Sequence, residues 1–217
     1  MTLDGLARRV GDLIGRLGIV PRCILGHSAG AAIALRLAFD RAARPQSLIS
    51  INGALMPFRG LSALLLPPAA RLLAAIPPLA QMIGHRAQQP GAIERMLGRM
   101  GSKPPAASIE HYRSLLWRKR HVQAAIDMMA MWNLEPLVRQ LPGLRVPLDL
   151  IACGHDLAVP PEEAWTVADM TPLAQVHYLR QLGHLGHEER PDLIADLVLS
   201  IWRRHGAGDV SPEGRSG

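Results

Sequence analysis

The chain has 217 residues, 48% of them hydrophobic and 19% charged, which suits one domain with a substantial core and excludes a wholly disordered polypeptide. Its formal charge of +6 comes from arginine, since all but two of the 24 basic residues are arginine. They are spread along the chain and only 4% of residues are aromatic, so they read as solvated helix faces, and no nucleic-acid partner is expected.

Taken in order, Leu3, Leu6, Val10, Leu13, Ile14 and Leu17 have the spacing of one helix face, which Gly18 ends. Asp4, Arg8, Arg9, Asp12 and Arg16 interrupt any apolar core for a signal peptide. Next comes Arg22 to Gly30, followed by the alanine-rich run to Phe39. It reads as a buried strand, a sharp turn with Ser28 between Gly26 and Gly30, and a helix that starts at once. This is G-x-S-x-G in a strand–turn–helix setting, where the turn lifts a nucleophilic serine clear of the sheet. Gly26 and Gly30 are expected where larger side chains would collide, and Ala29 places its N–H at a helix N-terminus, facing a developing oxyanion. His27 is expected to line the site. Ser47 to Asn52 reads as a second strand, closed by Gly53, so a parallel crossover is expected.

From 56 to 141 the character changes. Proline pairs stand at 67–68, 77–78 and 104–105 between helical patterns, and seven of the nine methionines fall between 56 and 131. The segment reads as a helical lid inserted between two strands, with its methionines expected mainly in core positions. The apolar stretch 61–83 is broken by prolines and Arg71, and it falls short of the ~20 unbroken residues of a membrane span. Arg113 to His121, with Trp117 among five basic residues, is expected to be a solvated face. Strands return at Pro147 to Gly154 and Gln175 to Leu179, with helices at Glu162 to Met170 and Glu188 to His205. The expected division is a core of 1–55 and 142–205, a lid of 56–141 and a disordered tail of 206–217.

Reactive groups of a parallel sheet gather at the C-terminal ends of its strands. Ser28, Asp156 and His184 each follow such an end, in the order Ser…Asp…His. The roles follow from chemistry. Ser28 is the nucleophile, His184 takes its proton, and Asp156 fixes the ring's tautomer. His187 competes with His184 but is expected at the start of the closing helix, and Asp149 lies at the wrong end of its strand. Cys23 and Cys153 show no metal-ligand spacing and read as buried free thiols of a reducing compartment, so the cytoplasm is the expected location. No metal or cofactor motif appears.

Gly26-His27-Ser28-Ala29-Gly30, Gly154-His155-Asp156 and Gly183-His184 through Arg190-Pro191 together resemble the α/β-hydrolase superfamily. More narrowly, Asn52 to Phe58, His121 to Trp132 and Leu182 to Pro191 resemble the magnesium-chelatase accessory proteins of bacteriochlorophyll synthesis. The resemblance implies an α/β-hydrolase fold, the C-terminal part of a mostly parallel sheet flanked by helices, and a triad suited to an ester or related acyl substrate. It also implies an alternative, a non-catalytic accessory protein that binds magnesium chelatase subunits or a porphyrin. Superfamily members begin with four further strands and a loop that gives a second oxyanion N–H. The resemblance therefore implies that this sequence lacks them, with the elbow strand as an exposed apolar edge, and an inactive truncated fragment is the third reading. The fold it implies separates Cys23 from Cys153 by one strand, ~9–10 Å, beyond disulfide reach.

Overall fold

A computed structural model of the chain describes residues 2–57, 86 and 89–206. The apolar stretch 61–83 and the tail 207–217 lie outside the described residues. Four strands, β1 (Cys23–His27), β2 (Ser47–Ile51), β3 (Leu148–Cys153) and β4 (Ala174–Leu179), pair in parallel in that order. Every residue of β2 and β3 is buried, as expected for central strands covered on both faces. In the described sheet β1 is an edge, and its Leu25 is 45% exposed.

Alternation along the strands splits the core between two faces. Leu48, Leu148 and Leu150 point to one face, where they pack with Ala31 and Leu35 of α2 (Ala29–Phe39) and Val167 of a later helix, Glu162–Met170. Ile49, Ile51, Ile151 and Cys153 point to the other, against Ile194 and Ile201 of the last helix, Pro191–Gly206. Helix α1 (Leu3–Arg16) packs beside α2. Thr2 caps it, accepting the Gly5 N–H at 3.2 Å, and Gly18 turns the chain at φ 63°. Its apolar face is only partly covered: Leu3 and Ala7 are buried, whereas Leu13 and Leu17 are exposed.

Between β2 and β3 stand α3 (Ala92–Gly98), α4 (Ala106–Trp117), α5 (Lys119–Ala130) and the short α6 (Glu135–Val138). The methionines here depart from the core expectation, since Met96, Met129 and Met131 are exposed. After β3 come α7 (Glu162–Met170), then β4, the single turn α8 (Gly186–Glu189) and α9 (Pro191–Gly206). The closing helix thus begins at Pro191, not Glu188. Proline cannot donate to a preceding turn but suits the first helical position, so it divides the two helices there. Gly206 belongs to α9 and not to a tail. The cysteines lie on strands separated by β2 and both are free, but only Cys153 is buried; Cys23, on the edge strand, is half-buried.

Candidate active site

The elbow follows from local constraint. A β-carbon on Gly26 would stand 2.4 Å from the Gly30 carbonyl oxygen and 2.5 Å from the Ala31 nitrogen, so only glycine allows the strand to fold back onto the helix start. Gly30 differs from expectation, because a β-carbon there would meet nothing within 4 Å. The sharpness of the turn therefore rests on position 26, the side the helix backbone presses against. Ser28 has φ 52° and ψ −122°, a sparsely populated conformation. It is held by its N–H on the Ile51 carbonyl and by its own carbonyl, which accepts from Ala31 and Ala54. Its hydroxyl does not cap α2. Ala29 is the first residue of α2, where an N–H has no helical acceptor.

Asp156 and His184 meet across two loops. His184 Nδ1 lies 2.8 Å from Asp156 Oδ2, and both side chains are buried. The other carboxylate oxygen accepts the N–H groups of Ala158 and Val159, each at 2.8 Å. Asp156 thus keeps one oxygen for the imidazole, which donates through Nδ1 and leaves Nε2 with its lone pair.

His27 brings the elbow and the loop of His184 together. Its Nε2 donates to the His184 carbonyl at 2.9 Å, and its ring lies 4.7 Å from that of His184 and 4.4 Å from that of His187. Burial, and then the neighbouring His187 and His184, push its pKa down to about 4, so it is neutral at pH 7. The competitor His187 makes no hydrogen bond to Asp156; it packs on His27, and burial pushes its pKa below the usual value. Asp149, at the opposite end of β3, is held by His177 Nε2 at 2.6 Å and His205 Nε2 at 2.8 Å, far from the elbow in the sheet register.

Several groups around the site were not signalled by motif reasoning. Asn52 is buried at φ 45° just past β2; its Oδ1 accepts the Cys153 N–H at 2.8 Å and its Nδ2 donates to the carbonyls of Gly183 at 3.0 Å and His184 at 2.9 Å. The usable signal was a polar residue tolerant of positive φ at the C-terminal end of a buried strand. Ser102, also buried, accepts the Leu185 N–H at 2.8 Å, and the Tyr112 hydroxyl donates to Glu188 at 2.6 Å. Both tie the helical segment to the loop that carries His184. Among the described residues there is no cluster of three or more His, Cys, Asp or Glu able to hold a metal, and no helix is long and apolar enough to cross a membrane.

Residues 2–197 match the alpha/beta hydrolase family. The magnesium-chelatase 30 kDa subunit of Rhodobacter capsulatus is 34% identical over 197 residues, 91% of this chain and 68% of that protein. Among solved structures, an alpha/beta hydrolase fold protein from Burkholderia ambifaria superposes with a TM-score of 0.71 at 18% identity, covering 92% of this chain and 73% of that one. An esterase from Exiguobacterium antarcticum gives 0.70 at 14% identity, with 90% and 71% covered. With the parallel sheet and the match along nearly all of its length, this chain belongs to the alpha/beta hydrolase family.

Proposed function

We propose that the chain is a serine hydrolase acting on an ester or related acyl substrate, with Ser28 as nucleophile, His184 as general base and Asp156 orienting the ring. The observation that carries this reading is the buried pair of His184 and Asp156, whose second carboxylate oxygen is already occupied by two backbone donors. That arrangement holds the imidazole in the tautomer a serine needs, beside an elbow whose strained serine leaves its hydroxyl uncommitted to the helix. In the reaction, Ser28 Oγ attacks the acyl carbon while its proton passes to His184 Nε2. The Ala29 N–H stabilises the oxyanion, and the imidazolium then protonates the leaving alcohol. Water repeats the sequence and releases the acid.

The segment 56–141 serves as the lid of a core formed by 1–55 and 142–205. Its ties through Ser102 and Tyr112 to the base loop support this division. Hydrolysis of p-nitrophenyl acetate and butyrate tests the reading. Ser28→Ala reduces turnover to background, and Asp156→Asn lowers kcat by ~10⁴-fold through loss of the correct tautomer.

A second reading is favoured by the relative named as a magnesium-chelatase subunit. On that reading the chain acts in bacteriochlorophyll synthesis as a partner of magnesium chelatase or a binder of a porphyrin, with the lid as its binding surface. Titration with protoporphyrin and with chelatase subunits separates the two readings, since binding that survives Ser28→Ala together with absent esterase turnover favours the second.

A further inference from the structure

We infer that Asn52 is a positioning residue that sets His184 against Asp156; the inference rests on the reading of His184 as the base. A loop residue bearing a catalytic ring has two backbone torsions to fix, one on each side of its Cα, and packing alone fixes them poorly. Here the carbonyls of Gly183 and His184, the two peptide units that bracket the His184 Cα, are both held by one amide, at 3.0 and 2.9 Å. The same amide accepts the Cys153 N–H through Oδ1 at 2.8 Å, three residues before Asp156. One side chain therefore clamps the start of the acid loop and the base residue to the end of β2.

The partners leave no ambiguity in the amide's orientation, because two carbonyls require the NH₂ end and one N–H requires the oxygen. All three bonds are buried, so each would leave an unpaired group if broken. Asn52 adopts φ 45°, which asparagine tolerates better than most residues, and the Asn52 N–H bonds the Ile151 carbonyl at 2.8 Å, so the backbone that aims this side chain is itself held. His27 donates to the same His184 carbonyl at 2.9 Å, which makes that oxygen a doubly held anchor. The consequence is kinetic as well as structural: release of the clamp lets the His184 ring drift from the geometry in which Nε2 can take the serine proton.

The test uses the full chain with Asn52→Asp, which keeps the shape and the acceptor but removes both donors, and Asn52→Ala. Two readouts are taken on whichever variants keep a cooperative thermal transition. One is the rate of Ser28 modification by a fluorophosphonate, followed by intact mass. The other is the low-field proton resonance of the His184 Nδ1–H, assigned by its loss in His184→Gln. The expected result is a ~10²-fold slower modification together with a shifted or broadened resonance. A wild-type rate and an unchanged resonance in a folded variant overturn the inference. Should the wild-type chain itself fail to react with the phosphonate, the hydrolase reading falls and the resonance alone decides whether Asn52 positions the ring.

Discussion

Gly101 and His155 meet backbone to backbone: a β-carbon added at Gly101 would stand 1.7 Å from the His155 carbonyl oxygen. Gly183 closes the other side, since a β-carbon there would lie 2.1 Å from the Gly101 carbonyl oxygen. The turn after α3 is thus wedged between the loop of Asp156 and the loop of His184, and it also has φ 78°. Gly101→Ala is expected to destabilise the fold by roughly 2–4 kcal/mol and to slow acylation of Ser28, because the wedge must shift one loop or the other. Chemical denaturation and the phosphonylation rate check the two effects separately.

His27 gives the protein an acid limb. Its folded pKa of about 4 lies below the unfolded value of 6.5, so the unfolded chain binds the extra proton. The stability that a neutral His27 contributes is fully present above pH 6.5 and is lost as pH falls from 6.5 towards 4, by at most about 3 kcal/mol. His27→Gln should flatten unfolding free energy across that window, as measured by denaturant titration at a series of pH values.

Asp149 is a structural charge at the end of the sheet opposite the elbow. It is 1% exposed, and besides the two histidines the Arg204 guanidinium lies 3.6 Å away. Asp149→Ala strips β3, β4 and α9 of their shared acceptor and should cost about 3 kcal/mol, the low end for breaking a buried pair, since its partners are partly solvated. Esterase turnover per folded molecule should stay at the wild-type level, a combination that calorimetry and kinetics read directly.

How much of this was legible in the sequence depended on whether a signal was local. The elbow, the four strands and the order of Ser28, Asp156 and His184 follow from short apolar runs ending in turns, and the expected ends of β2, β3 and β4 lie within a residue of the observed ones. Gly30 illustrates a limit, since a motif position alone does not say whether space is short. The exposed Met96, Met129 and Met131 illustrate another, because helical spacing shows a face but not what covers it. Asn52, Gly101 and Ser102 act through contacts more than 50 residues away in sequence. Such contacts arise only once the sheet has assembled.

The tether between Tyr112 and Glu188 gives a prediction for the helical segment. Burial first, and then the Glu188 carboxylate that accepts its hydrogen bond, raise the Tyr112 pKa above the usual phenol value. Tyr112→Phe should cost about 1.5 kcal/mol, as expected for a hydrogen bond to a charged group. A double-mutant cycle with Glu188→Gln should show coupling of similar size, and faster amide exchange in α4 should accompany it.

On the proposed reading, the buried pair of His184 and Asp156 activates Ser28. The most direct measurement is intact-mass spectrometry after exposure to a fluorophosphonate, with Ser28→Ala and His184→Ala alongside. One adduct is expected on the wild-type chain and none on either variant. An unmodified wild-type chain, or an equal adduct on Ser28→Ala, would contradict it.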